Sequence, residues 1–296
     1  MITRIGKKRV DLLPVLMIFP AVVILGFIWG FPIVKLFQLS TIEWYLSRPL
    51  IKIYLGLKNF ETLFRDPYFY HALQVTGIYM GGAVGCELGI GLLVASRLNA
   101  VDKGRLLFVT LFLIPMIMSP VVVALFWRAW AAPEFGLIGY FMKLARIGSF
   151  FPAEGFTGTY KTALPMIIFV DVWEWSPFMI LIIYSGLQSL PKEPFEAIAL
   201  DGANRWQTFR YLTLPMLRPV ILVGLLFRVI DAYKAFDVIW IITRGGPGRV
   251  TENLSVFTYK TGFREWNVGY SAASGVIMLI GALVISIALV RRVAKT

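Results

Sequence analysis

Charged and aromatic side chains inside long apolar stretches are the residues of this sequence that are best able to do chemistry. Four of them follow one another at i, i+3, i+4 and i+7: Asp171, Glu174, Trp175 and Phe178. This spacing predicts that a helix places all four on one face. Because carboxylates accept hydrogen bonds from hydroxyl groups and aromatic rings stack on C–H surfaces, the face suits a polyol.

A second group, Arg228, Asp231 and Ala232, lies in the following apolar stretch. Charges inside a membrane mark a substrate or ion pathway by default, since burying them in lipid is costly. The alternative is a structural ion pair between Arg228 and either Asp171 or Glu174, which would hold two helices together. The two roles are compatible, because such a pair can open and close with a conformational change.

Other polar residues receive different predictions. A guanidinium binds oxyanions bidentately, so Arg228 leaves open an anionic substrate such as glycerol 3-phosphate or a uronate oligosaccharide. Lys234 and Asp237 are predicted to be structural or gating residues. Glu87 is predicted to be a helix-packing partner, and His71 a solvated or interfacial side chain.

The elements that must position these residues are six long apolar stretches. A bilayer core requires about 20 helical residues. The stretches that meet this length are 12–34, 72–95, 106–127, 163–187, 220–242 and 272–290. We therefore predict an all-α membrane protein with six transmembrane helices, the first of them an uncleaved N-terminal helix.

Composition excludes several classes of protein. Of 296 residues, 58% are hydrophobic and 16% are charged, which excludes an ordinary soluble enzyme. The net charge of +12 comes from residues spread through short segments between the stretches, so we interpret it as a signal of orientation rather than of nucleic-acid binding. One cysteine and one histidine exclude an intrachain disulfide and a multi-histidine metal site.

Lysine and arginine density predicts the orientation. The segments 1–11, 96–105, 188–219 and 291–296 hold 14 basic residues in 59 positions. The segments predicted on the other side of the membrane, 35–71, 128–162 and 243–271, hold 13 basic residues in 101 positions. Because basic residues concentrate on the cytoplasmic side, both termini should be cytoplasmic. Within the second stretch, Gly81, Gly85 and Gly89 form a small-residue ridge that predicts close packing of another helix.

The loop 189–219 is long and patterned. Pro194 suits the first turn of a helix, Gly202 should interrupt it, and Asn204 with Gln207 resembles a capping box that opens a second helix. The pattern predicts two short helices joined by a glycine bend. Such an element suits docking into a groove of another protein, although an interfacial loop without a partner is the alternative.

The same loop carries a family resemblance. Glu196-Ala197-Ile-Ala199-Leu-Asp201-Gly202-Ala203, followed by Phe209 and Leu-Pro215, resembles the EAA loop of permease subunits in binding-protein-dependent ABC importers. Further segments resemble carbohydrate-type permeases in the same order along the chain: Gly56-Leu-Lys-Asn59-Phe60, Asp66-Pro67, Leu113-Ile-Pro115, Gly136-Leu137-Ile138 and Thr243-Arg-Gly245-Gly246-Pro247-Gly248. The pattern is most similar to the first permease subunits of maltose, lactose and glycerol-phosphate importers.

The resemblance implies a fold and a set of partners. The fold would be an N-terminal helix (12–34) followed by a five-helix, MetI-like type I importer core (72–290). The partners would be a second homologous permease subunit, two ATPase subunits, an extracytoplasmic substrate-binding protein and the lipid bilayer of a prokaryotic inner membrane, with no nucleic acid.

The resemblance also implies residue roles. The loop would be a coupling helix, with contacts to the ATPase subunit from Glu196, Ala197, Ala199, Asp201, Gly202, Ala203, Phe209 and Pro215. The fourth and fifth spans would hold the sugar contacts. No cofactor is expected in this chain, because ATP and Mg would bind in the partner ATPase, and no catalytic residue is expected.

Two functions of other classes stay open. An ion-coupled secondary transporter could use Asp171, Glu174 and Asp231 as proton or cation sites. A membrane-bound enzyme acting on lipid-linked sugar would require a catalytic constellation, and neither a Ser–His–Asp set nor a paired-carboxylate set with an active-site loop is evident in the sequence.

Overall fold

The computed structural model describes residues 12–100, 104–146 and 152–294, and the described chain is predominantly helical. The predicted all-α membrane fold is confirmed. In chain order the helices are α1 (Leu12–Ser40), α2 (Lys58–Arg65), α3 (Pro67–Asn99), α4 (Arg105–Ile117), α5 (Pro120–Trp130), α6 (Leu137–Leu144), α7 (Ala163–Ser189), α8 (Glu193–Leu200), α9 (Arg205–Thr208), α10 (Leu214–Tyr233), α11 (Asp237–Thr243), α12 (Leu254–Phe263) and α13 (Val268–Val293). The basic segment 1–11 and residues 101–103 and 295–296, which contribute to the orientation prediction, lie outside the described residues.

Five continuous helices of the described chain are long and apolar enough to cross a membrane: Leu16–Ser40, Pro67–Asn99, Ala163–Ser189, Arg205–Tyr233 and Val268–Val293. Most extend beyond the predicted stretches. The second begins five residues early because the Asp66 carboxylate accepts a hydrogen bond from the backbone N–H of Tyr68 at 2.8 Å and Pro67 fits the first turn.

The third predicted stretch, 106–127, is not one straight helix. α4 and α5 together satisfy the length and hydropathy criterion but meet at a bend of 90°. Met118 and Ser119 are extended at the break. Proline disfavours helical backbone in the preceding residue and cannot donate the N–H that would continue α4, so the helix ends ahead of Pro120. The third predicted span is therefore a bent pair of helices, and the described chain has six spans if this pair is one of them.

The fifth predicted stretch, 220–242, is also broken. α10 ends at Tyr233 and α11 begins at Asp237, with Lys234 as the residue that ends α10. The side-chain amide of Asn253 donates to the carbonyl oxygen of Ala235 at 2.6 Å, which satisfies a backbone group released by the break. Arg228 therefore lies five positions from the end of its helix rather than at mid-span.

The described chain forms two compact units. The first comprises residues up to 63 together with 261–276, and contains α1 and an antiparallel hairpin of β1 (Ile42–Trp44) and β2 (Lys52–Tyr54). Asn59 is buried, and its side-chain N–H groups donate to the carbonyl oxygens of Ser40 and Ile42, both at 2.9 Å. These two bonds connect the end of α1, the hairpin and α2.

The second unit comprises residues 64–260 and 277 onwards, and α3 and α7 form its most extensive helix pair. Close approaches occur where glycine lies against a neighbouring helix, at Gly91, Gly186 and Gly224. The predicted ridge at Gly81, Gly85 and Gly89 instead faces open space, because a Cβ at any of the three would meet nothing within 4 Å. The ridge packs no other helix of the described chain, so that prediction was wrong within this chain.

Candidate functional site

A buried arginine organises the charged residues of the second unit. Nε and Nη2 of Arg228 donate to the two carboxylate oxygens of Glu87 at 2.6 and 2.7 Å. Nη2 also donates to Asp171 at 2.7 Å, and Nη1 donates to Asp231 at 2.9 Å. We call these four residues the Arg228 cluster. It connects α3, α7 and α10.

Burial makes this cluster energetically demanding. The side chains of Arg228 and Glu87 are 1% and 0% exposed. Removing such charges from water is costly, and the cost is offset only where hydrogen bonds satisfy both partners, as they do here. Trp175 covers the cluster, since its ring centroid lies 4.7 Å from Cζ of Arg228.

The cluster confirms part of what the sequence predicts. The alternative of an Arg228–Asp171 ion pair is found, and Glu87 does act as a helix-packing partner. No ion pair joins Glu174 to Arg228: the Glu174 side chain is buried, and its Oε2 has no hydrogen-bond partner among the described residues. Sequence reasoning missed the pairing of Arg228 with Glu87, about 140 residues away. Glu87 itself was a usable signal, because it is the one acid in an otherwise uncharged apolar stretch.

The remaining predicted pathway residues lie close by. Phe178 makes edge contacts with Trp175 and with Phe227, with ring centroids 6.2 and 6.4 Å apart. Ala232 is 1% exposed and belongs to the apolar core. The aromatic face therefore continues along α7 and α10, whereas Ala232 packs inside the unit.

A cavity of about 300 Å³ lies beside the cluster. It is lined by Tyr79, Pro120, Asp171, Trp175, Asp231, Lys234, Ala235, Phe236, Asp237 and Val238. Both helix breaks border it, with Pro120 at one and the segment 234–236 at the other. Broken helices are a common way to bring polar groups to a binding site inside a membrane. Sequence reasoning missed Tyr79, which lies eight residues before Glu87 on α3.

The loop 189–219 has the predicted form. α8 begins with Glu193 and Pro194 and ends at Leu200, and it contains no buried residue. Gly202 then adopts a left-handed φ of +77°, and its N–H donates to the carbonyl oxygen of Ala199 at 3.1 Å. The predicted glycine bend is confirmed.

The second short helix is also confirmed. Oδ1 of Asn204 accepts from the N–H of Gln207 at 2.9 Å, and Oε1 of Gln207 accepts from the N–H of Asn204 at 2.8 Å. This capping box opens α9, which continues through a π-helical turn, Phe209–Thr213, into α10. Pro215 lies in the first turn of α10, where a missing N–H costs little.

The surface of the loop is exposed and mixed in character. Glu196, Ala197, Ala199, Asp201 and Gly202 are exposed, and Ala203 and Phe209 are partly buried. Leu200 is 90% exposed. The loop lies beside a groove of about 690 Å³ between α8 and the ends of α3 and α7, whose lining includes Phe195, Glu196, Ala199 and Phe209.

The remaining polar residues of interest lie at the opposite end of α3. His71 is partly buried, and its Nε2 lies 3.0 Å from the carbonyl oxygen of Arg249. Arg249 is paired with Glu252 at 3.3 Å and lies over the ring of Tyr68. Across the part of the chain that the structure describes, no group of three or more His, Cys, Asp or Glu side chains could hold a metal ion.

Comparison with known proteins gives concordant matches. A family model described as "Binding-protein-dependent transport system inner membrane component" matches residues 87–295. The chain is 40% identical over 277 residues to the probable ABC transporter permease protein y4oQ of Sinorhizobium fredii, a match that covers 93% of this chain and 88% of that protein. It is 32% identical to the trehalose/maltose transport system permease protein MalF of Thermococcus litoralis, with coverage of 81% and 79%.

A solved structure shares the fold. The match is to a bacterial alginate ABC transporter in complex with an alginate pentasaccharide-bound periplasmic protein, with a TM-score of 0.81 over 97% of this chain and 96% of that chain. Sequence identity is 22%, so this likeness concerns the fold alone.

Proposed function

Because the chain belongs to the family of inner-membrane components of binding-protein-dependent transport systems, the permease subunits of ABC importers, we propose that it forms half of the translocation pathway for a sugar or oligosaccharide. A relative that it matches over most of its length is a trehalose/maltose permease, which supports a carbohydrate substrate. The protein is a multi-pass membrane protein, and we assign it to a prokaryotic inner membrane.

The proposal depends most on the exposed loop of α8 and α9. α8 buries none of its residues, yet it carries the apolar Leu200 at 90% exposure beside the acid Glu196. A rigid helix with an apolar and a charged side suits docking in a groove of another protein. We assign the groove that receives α8 to a partner ATPase subunit. ATP and Mg would bind in that subunit, and the energy of hydrolysis would reach this chain through the loop.

The remaining partners follow from the same assignment. A second homologous permease would complete the pathway and two ATPase subunits would bind the two coupling loops. An extracytoplasmic binding protein would deliver substrate at the opposite ends of the helices. The loop and both termini would face the cytoplasm, in keeping with the density of basic residues.

The pathway face would comprise Asp171, Glu174, Trp175, Phe178, Arg228 and Asp231. Of these, Asp171, Trp175 and Asp231 line the cavity, and both helix breaks border it. ATP-driven closure of the ATPase pair would then tilt helices and change which side of the membrane the cavity faces, a rigid-body rearrangement.

The test of coupling compares two acids of α8 in the complete importer reconstituted in liposomes. Glu196→Ala should reduce the ATPase stimulation by loaded binding protein about tenfold, since a charged anchor at an interface contributes 1–2 kcal/mol or more. Glu193→Ala, also in the first turn of α8, is the matched control and should retain stimulation.

Equal stimulation in both variants, with the complex intact, would remove the role of Glu196. Uptake by this chain alone, abolished by an uncoupler and independent of any ATPase subunit, would instead favour an ion-coupled secondary transporter.

A further inference from the structure

We infer that the cavity beside the Arg228 cluster binds uncharged, hydroxyl-rich sugar and discriminates against substrates that carry a carboxylate, sulfonate or phosphate. This inference rests on the proposed transport function and names the substrate class of its pathway. It decides against the anionic substrate that Arg228 leaves open in the sequence.

Arg228 has little capacity left to bind an anion. A guanidinium has five N–H donors. Four of them are used within the cluster, two on Glu87, one on Asp171 and one on Asp231. The Trp175 ring covers the guanidinium, with its centroid 4.7 Å from Cζ. Bidentate recognition of an oxyanion needs two parallel free donors, and Arg228 cannot offer them without breaking the cluster.

The wall of the cavity is rich in acids. The wall contains the carboxylates of Asp171, Asp231 and Asp237 and one cation, Lys234. Nζ of Lys234 already lies 3.6 Å from Oδ1 of Asp231. The formal charge of these residues stays negative when Arg228 and Glu87 of the cluster are counted with them, so an anionic substrate would be repelled.

The wall offers a neutral sugar both hydrogen-bond acceptors and apolar surface. Carboxylate oxygens accept hydrogen bonds from sugar hydroxyl groups, and the rings of Trp175 and Phe236 present apolar surface. Tyr79 adds a further polar group: its side chain is 0% exposed, it lines the cavity, and its hydroxyl, which makes no hydrogen bond of normal geometry within the described residues, interacts with the nearby Asp171 carboxylate. A sugar hydroxyl that enters the cavity meets both groups.

The volume fits a part of such a substrate. A cavity of about 300 Å³ lies at the lower end of small-ligand pockets. The cavity in this subunit therefore has space for a short portion of a sugar substrate. The similarity to the alginate importer is one of fold, at 22% identity, and does not transfer an acidic substrate to this cavity.

The experiment measures binding to the assembled importer in detergent without its binding protein, so that the selectivity of the binding protein cannot contribute. Saturation-transfer NMR would use trehalose and maltotriose as neutral probes, and trigalacturonate and glycerol 3-phosphate as anionic probes, all at millimolar concentration. The expected result is transfer to at least one neutral probe and transfer at least tenfold weaker to both anionic probes.

Two variants test the residues. Tyr79→Phe removes only the hydroxyl and should weaken binding of the neutral probe at least fivefold, whereas Tyr233→Phe, a buried tyrosine of α10 outside the cavity lining, should leave it unchanged. Asp237→Asn should raise anionic transfer relative to neutral transfer at least threefold, and Glu134→Gln, an exposed acid outside the cavity lining, should not.

Transfer to an anionic probe equal to or stronger than that to the neutral probes overturns the inference. Absence of transfer to all four probes also overturns it. The proposed function is tested separately, because stimulation of the ATPase by loaded binding protein in liposomes reports coupling through α8. An importer that couples normally but binds trigalacturonate in this cavity would refute the inference and leave the function intact.

Discussion

Arg228 and Glu87 form a bidentate ion pair, with N–O distances of 2.6 and 2.7 Å, although they are 141 positions apart in the chain. Both side chains are almost completely buried. The pair connects α3 to α10 in the same unit, and Asp171 of α7 shares one guanidinium nitrogen with it. Three helices are therefore held by one cation, so its removal should affect the protein more than removal of any single acid.

The first prediction orders two substitutions in the Arg228 cluster. Arg228→Met leaves three carboxylates without their cation and should lower the free energy of unfolding by about 3–5 kcal/mol. Glu87→Gln leaves the guanidinium with Asp171 and Asp231 and should cost about 1.5–3 kcal/mol. Thermal unfolding of the purified complex in detergent measures both.

The paired variant Glu87→Leu with Arg228→Met provides a control, since it removes one charge of each sign. It should be more stable than Arg228→Met alone. If all three variants were as stable as the unsubstituted protein, the cluster would contribute nothing to the stability of the fold.

The second prediction concerns the bend between α8 and α9. Gly202 has a φ of +77°, and a Cβ there would meet nothing within 4 Å, so Gly202→Ala should be strained by its backbone alone, by about 1–2 kcal/mol. Gly202→Asn should be milder because asparagine tolerates this conformation. Stimulation of the ATPase should be strongest with Gly202, weaker in Gly202→Asn and weakest in Gly202→Ala.

Gly81→Ala is the matched control for Gly202→Ala, because it also adds one methyl group in open space but lies within a regular helix. It should leave stimulation unchanged. A Gly202→Ala variant with full stimulation would show that the bend adopts other conformations without loss of coupling.

The third prediction contrasts glycines that pack with glycines that do not. A Cβ at Gly186 would lie 2.9 Å from Val220 Cγ1 and 3.0 Å from Leu217 Cδ2. Gly186→Ala should therefore lower the free energy of unfolding by about 1–3 kcal/mol through overpacking. Gly85→Ala, where a Cβ meets nothing within 4 Å, should be neutral or stabilising by up to about 1 kcal/mol. Thermal unfolding distinguishes them, and equal melting temperatures would contradict the helix packing described here.

Hydropathy predicted the spans because their length is set by the thickness of the bilayer, and the capping box of Asn204 and Gln207 was predictable because both partners are three residues apart. The breaks at Ser119 and Lys234 were not recognised, since an apolar stretch has the same composition whether or not its helix is bent. Pro120 is the sequence signal for the first of these breaks, because proline disfavours helical backbone in the residue before it.

The ion pairs were predicted less well than the spans. The sequence identified Arg228 and its neighbouring acids, but nothing in it specifies which of the distant acids lies nearest in space. Glu174 and Asp171 differ by three positions on one helix, and only the tertiary contacts determine that Asp171 meets the guanidinium while Glu174 does not. The position of Tyr79 at the cavity follows from the packing of α3 against α7, which the sequence does not specify.

The fourth prediction separates two tryptophans of α7. Trp175 lines the cavity and covers Arg228, whereas Trp173 packs against Trp127 with ring centroids 5.4 Å apart. Trp175→Phe should raise the KM for transport about threefold to tenfold, because it removes part of the ring surface beside the cavity, with little loss of stability. Trp173→Phe should lower the melting temperature with little change in KM. Uptake assays and thermal unfolding in parallel measure both, and a KM unchanged by Trp175→Phe would leave it a purely structural role.

The helix that begins at Arg205 runs through the π-helical turn to Tyr233 without interruption. At a rise of about 1.5 Å per residue, Arg228 lies about 35 Å from its start. A tilt of about 5° pivoted at that start would displace Arg228 by about 3 Å, more than the slack of a hydrogen bond of normal length. If the helix moves as a rigid body, a small rotation at the loop would displace Arg228 far enough to separate it from Glu87 and Asp171, which belong to other helices.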